Sequence, residues 1–227
     1  MTALVFLVLM GVASIPVVGG LGVYVLSPFL VAGYFAAARA GESGEPVTFL
    51  YLGTGFRQAG KGLFVIGLAY LLTTLFIFKI VLTLTGGNLQ TIVENAQSPA
   101  SMDPAATERM LREDLPALSL GMLMFIPLLM ATWFSPGLVL FEGFGPAKAM
   151  WWSLWACAVN WRPLVFYTLI VVLVGMVAIV IPLGLGLLVF LPWTLTSTFA
   201  AYRQIFVSGE NPDPPHPVLH GDNTPDA

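Results

Sequence analysis

Between Pro163 and Tyr202 the chain runs for forty residues without one Asp, Glu, Lys or Arg. As a single helix rising about 1.5 Å per residue it would reach about 60 Å, roughly twice the hydrocarbon thickness of a bilayer. One straight span is therefore excluded. The interruption falls at Ile181-Pro182-Leu183-Gly184-Leu185-Gly186, where proline removes a backbone donor and glycine relaxes the chain. The tract predicts two membrane helices folded back on each other. Composition agrees: 57% of the 227 residues are hydrophobic and only 9% are charged, against about 25% charged in soluble domains.

The first apolar stretch, residues 2–38, repeats the argument at about 55 Å. Its break at Ile15-Pro16-Val17-Val18-Gly19-Gly20 gives spans near 3–17 and 21–39. No Lys or Arg precedes Arg39, so the basic start of a cleaved leader is missing and the run is expected to be retained. Further apolar runs cover 62–85 and 117–141, and dividing the last tract gives 163–182 and 184–206. The expected fold is an all-α membrane protein, residues 1–206, with six transmembrane helices as three hairpins.

Two connectors link the hairpins. One begins Glu45-Pro46-Val47 and runs to Lys61; the other begins Gly145-Pro146-Ala147 and runs to Arg162. Proline in the first turn is a helix-start signal. Met150, Leu154, Cys157, Ala158 and Trp161 recur at helical spacing, and four of the six tryptophans lie in 151–161. Indole prefers the headgroup level, so interfacial amphipathic helices are expected near 46–60 and 145–161. With a cytoplasmic N-terminus, the inner side would hold Arg39, Arg57, Lys61, Lys148, Arg162 and Arg203, and the outer side only Arg109 and Arg112. Six against two predicts both termini inside. The outer loop, 86–116, is expected to carry a short surface helix near 104–114, with Glu108 four residues before Arg112. The proline-rich tail, 207–227, is expected to be disordered and cytoplasmic.

The second, fourth and sixth spans each contain a proline: Pro28, Pro136 and Pro192. Leu26-Ser27-Pro28-Phe29-Leu30-Val31 resembles Phe134-Ser135-Pro136-Gly137-Leu138-Val139, and Pro28 and Pro192 each precede a Phe-Ala-Ala sequence by seven residues. Internal repetition is one explanation of these matches. Each proline frees the carbonyl four residues back: Tyr24, Thr132 and Leu188. A freed carbonyl in lipid must be satisfied again. Ser27, Thr132, Ser135, Thr194, Thr196 and Ser197 are the hydroxyls at hand. They either line a small polar cavity that admits a solute or bond the carbonyls locally and tolerate a kink, the second being the ordinary outcome.

Lys79 is the only charge well inside an apolar span, about 9 Å from its outer end. That is within snorkelling reach, which is the expectation beside a pathway role. Arg39, Arg162, Arg203, Trp151 and Trp155 are expected headgroup anchors, and Glu142 is expected as an interfacial charge with Lys148 its candidate partner. Ala32 with Ala36, and Gly33 with Ala37, set small residues four apart for close helix contact.

Enzymatic chemistry finds little support. The lone cysteine, Cys157, excludes an internal disulfide. His216 and His220, with Asp213 and Asp222, sit in the tail without a third preorganised ligand. No catalytic motif, cofactor or metal site is expected, and a net charge of −3 offers no stripe for nucleic acid.

Leu26-Ser27-Pro28 through Gly33, Phe134-Ser135-Pro136 through Gly143, Asn160-Trp161-Arg162-Pro163 and Ile181 through Phe206 resemble a family of uncharacterised multi-pass inner-membrane proteins of Gram-negative bacteria. The resemblance implies location and architecture but no activity. Members of that family have more residues before the first span, whereas the first span here starts almost at Met1. The alternating spans and interfacial helices are also distantly similar to membrane domains attached to some glycerophosphodiester phosphodiesterases, from which no catalytic residue carries over. The expected role is a non-enzymatic membrane component or scaffold packing against the lipid bilayer or partner proteins; the alternative is a small-solute or lipid permease with a cavity at the kinks.

Overall fold

The computed structural model describes residues 18–86, 104–181 and 185–207, and these are helical with no strand among them. The first span near 3–17, the breaks at Pro16 and Pro182, the 87–103 part of the outer loop and the tail from 208 lie outside the described residues.

Helix α1 covers Val18–Glu42, a 3₁₀ turn Phe49–Gly53, α2 Thr54–Gln58 and α3 Gly60–Leu84. Then come α4 Pro104–Trp133, α5 Ser135–Phe141, α6 Pro146–Val159, α7 Trp161–Val180 and α8 Leu185–Phe206. Four segments are long and apolar enough to cross a membrane: Leu21–Glu42, Gly60–Leu84, Glu108–Phe141 and Trp161–Val180. At 20 residues, α7 is about 30 Å long, which matches the hydrocarbon core.

Two expected elements differ. The surface helix near 104–114 and the start of the fourth span are one continuous helix, α4, because Pro116 and Pro127 sit inside it without interrupting it. The interfacial helix near 46–60 is instead a 3₁₀ turn and a five-residue helix, with Ala59 at φ −127 before α3. Gly53, Gly55 and Gly60 each cost about 1 kcal/mol relative to alanine in a helix. Their neighbour Gly33 earns its place by proximity: a Cβ there would lie 2.6 Å from the Leu52 carbonyl oxygen. The small-residue face of α1 thus receives the turn rather than another long helix.

Helix α1 packs on α3, α3 on α4, α4 on α6, and α8 on both α7 and α1. The main core lies where α1, α3, α5, α6 and α8 converge, around Phe29, Phe35, Leu63, Phe134, Leu138 and Tyr202. Phe35, Phe199 and Tyr202 form an aromatic group with centroids 5.4–6.4 Å apart. Gly137 leaves room for it, since a Cβ there would lie 3.0 Å from both the Phe35 and Tyr202 rings. In contrast, α7 buries only Ala178.

Candidate functional site

The break between α4 and α5 is the best-defined polar feature of the interior. Phe134 N does not close onto the carbonyl four residues back. It donates to Ser153 Oγ on α6 at 3.0 Å, and Ser153 Oγ donates to the Met130 carbonyl at 2.6 Å. A side-chain hydroxyl is therefore inserted into the helical ladder, a recognised cause of a sharp kink. Cys157 Sγ lies 3.6 Å from the same carbonyl, and burial pushes its thiol up to about 12. The buried stripe of α6 is Ala149, Ser153, Ala156 and Cys157. This corrects the face read from the sequence: Ala158 and Trp161 are exposed. Small side chains bring α6 close enough for Ser153 to reach α4.

The carbonyls freed by Pro28 and Pro136 are met locally. Ser135 Oγ donates to the Thr132 carbonyl at 3.2 Å, and Ser27 Oγ to the Tyr24 carbonyl at 3.3 Å. In both cases the serine before the proline serves the carbonyl that proline leaves open. Thr132 Oγ1 donates to Leu128 and Leu129 carbonyls. Around Pro192 the link is tertiary: Tyr34 of α1 donates to the Pro192 carbonyl at 3.2 Å and shares a 2.8 Å bond with Thr196. On the other side, the Tyr167 hydroxyl of α7 meets Ser197 at 2.8 Å and Thr198 at 3.1 Å.

Two of the three kinks share a cavity of about 220 Å³. Ser27, Pro28, Thr132 and Pro136 line it with Val31, Tyr70, Trp133, Leu195 and Thr198. Ser135 is fully buried outside the lining, and Pro192 does not line it either, although Leu195 and Thr198 bring α8 into the wall. Tyr70, Trp133 and Thr198 were not singled out from sequence. A phenol inside an apolar run was the available signal for Tyr70; the hydroxyl cluster Thr194, Thr196 and Ser197 beside it was the signal for Thr198. At about 220 Å³ the cavity falls below the ~300–1,000 Å³ usual for ligand pockets.

Of the remaining candidates, Arg39 and Arg203 line one pocket and the others are dispersed. Lys79 is exposed on α3, five residues from Leu84. Arg162 lies over the Trp161 ring at 5.5 Å, and Trp151 and Trp155 are exposed. Lys148 sits 4.2 Å over the Phe144 ring, and the expected pairing with Glu142 is absent from the ion pairs among the described residues. The pairs present are Arg112 with Glu108 at 2.9 Å and Arg203 with Glu42 at 2.7 Å. Exposed pairs of this kind contribute about 0–1 kcal/mol. Asp114, expected in a polar loop, is 3% exposed on α4. Tyr51 donates to Glu45 Oε2 at 2.9 Å, and that hydrogen bond raises its phenol above the ordinary value. No group of three His, Cys, Asp or Glu able to hold a metal exists among the described residues.

Among the described residues these features define an all-helical chain with four helices long and apolar enough to cross a membrane, in which hydroxyls serve the carbonyls freed by Pro28 and Pro136. No protein-family model, curated protein or solved structure matches the chain.

Proposed function

We propose that the chain is a multi-pass protein of a bacterial inner membrane, with six spans as three hairpins and both termini cytoplasmic. In this reading it is a non-enzymatic membrane component that packs against lipids or partner proteins. The observation that carries it is the outward face of α7, where Phe166, Val177, Ile179 and Val180 are 66–80% exposed. Exposed apolar surface on this scale requires lipid or protein cover. The likeness to uncharacterised inner-membrane proteins supports the location.

A photoreactive residue at Phe166 in native membranes tests the reading. Adducts with lipid or with one stoichiometric membrane protein are expected. Release of the chain by alkaline carbonate, or adducts confined to its own α8, would reject it. The second reading, a permease, is favoured by the cavity that Ser27, Thr132 and Thr198 share. Its small volume and internally bonded hydroxyls place it behind the first. Solute uptake dependent on the chain and lost in Thr132→Val would reverse that order.

A further inference from the structure

The packing role leaves one polar cluster without a use. Where α1 and α8 end, a pocket of about 190 Å³ is lined by Arg39, Glu42, Phe141, Glu142, Tyr202 and Arg203 among others. Arg203 is committed to Glu42 at 2.7 Å. The Arg39 guanidinium lies 4.9 Å over the Phe141 ring and forms no ion pair among the described residues, nor does Glu142. Tyr202 is 1% exposed, and its hydroxyl faces Glu142 and Arg39 yet closes no hydrogen bond of good geometry. A buried phenol left open is an exception that calls for a partner. The pocket thus presents one open cation, one open anion and one open hydroxyl over aromatic walls.

We propose that this pocket binds the headgroup of phosphatidylethanolamine, with the phosphodiester on Arg39 and the Tyr202 hydroxyl and the ammonium on Glu142. The inference rests on the membrane reading above, because Arg39 lies in the last turn of a candidate span and headgroups lie at span ends. Two arginines and two glutamates cancel formally, so a zwitterion matches the site. A simple anion would meet two carboxylates. Phosphatidylcholine carries no N–H for Glu142, and phosphatidylglycerol carries no cation. Arginine suits phosphate through its planar fork of donors.

Native mass spectrometry of the full chain in detergent, with the three lipids at equal concentration and matched acyl chains, tests this. One phosphatidylethanolamine adduct should be retained about tenfold over the others, which is about 1.4 kcal/mol. Tyr202→Phe and Glu142→Gln should each reduce that preference about fivefold, while a change at exposed Arg57, Arg57→Gln, leaves it. Because the Tyr202 hydroxyl closes no hydrogen bond of good geometry and Phe keeps the ring that packs on Phe35 and Phe199, Tyr202→Phe should melt close to wild type. If it does not fold, exposed Glu142 still decides the question. Equal retention of the three lipids, or a preference unmoved in the variants, would overturn the site. Displacement by soluble phosphoethanolamine at concentrations equal to the lipid would overturn the lipid as occupant. Carbonate release would defeat the membrane reading itself, whereas a chain held in the membrane without lipid preference defeats only this inference.

Discussion

Ser153 holds two backbone groups of α4 that would otherwise hold each other. Phe134, whose N–H it accepts, is fully buried, so removing the hydroxyl strands a donor and an acceptor unless α4 straightens. Straightening would pull α5 off the aromatic group at Gly137, so neither route is free. Ser153→Ala should cost about 1–3 kcal/mol, read as a lower thermal midpoint in detergent and faster amide exchange at Phe134; an unchanged midpoint would deny the insertion its role. Tyr51 gives a residue-scale pH effect. Its phenol is raised, first by the hydrogen bond to Glu45, then by burial and by the Glu45 charge. A folded value above the unfolded one means the contribution is fully present below pH 10.0 and fades as pH rises through the folded value. Glu45→Gln should therefore bring Tyr51 ionisation back toward its ordinary range, visible as a difference in phenolate absorbance between the two proteins above pH 10.

At the scale of elements, the prolines inside the apolar helices differ in effect, and among the described residues one of them, Pro136, accompanies a break. Pro28, Pro116, Pro127 and Pro192 sit inside continuous helices, whereas Pro136 follows the interruption at Phe134. Proline alone does not decide; the hydroxyl from α6 does. This marks what was legible in the sequence. Helix existence followed from uncharged length, and the pairing of Ser27 and Ser135 with their neighbouring carbonyls followed from spacing of three. The Ser153 insertion spans nineteen residues and depends on how α6 folds back at Gly143, whose φ of +64 favours glycine. No local pattern records that. Nor did periodicity show which face of α6 is buried, because its tryptophans outweigh its small residues in any apolar count. The α1–α3 crossing offers an element-scale test. A Cβ on Gly67 would lie 2.7 Å from the Val25 carbonyl oxygen, while one on Gly53 meets nothing within 4 Å. Gly67→Ala should destabilise by about 1–3 kcal/mol through overpacking, and Gly53→Ala, at a helical φ of −76, should be neutral or gain up to about 1 kcal/mol. Equal melting of the two variants would contradict that crossing.

For the whole molecule the decisive question is sidedness, and the charge pattern answers it with a specific expectation. Six of the nine basic residues fall in connectors assigned to one side and two in the connector assigned to the other, a bias that orients short loops toward the cytoplasm. Lys79, in the span itself, lies toward the poorer side and takes no part in the count. Position 100 falls in the long connector between α3 and α4, and Ser43 is exposed just beyond the end of α1. Cys157 is buried with its thiol raised to about 12, so almost none of it is thiolate at neutral pH and it stays silent toward maleimide. Single cysteines can therefore be read in the otherwise natural chain. Ala100→Cys should label with a membrane-impermeant maleimide in intact cells whose outer membrane is permeabilised, and Ser43→Cys only after lysis. Labelling of Cys157 in the native protein would first void the silent background. The reverse pattern at 100 and 43 would invert the orientation, moving the Arg39 and Arg203 pocket to the periplasmic leaflet while leaving the helix packing as it stands.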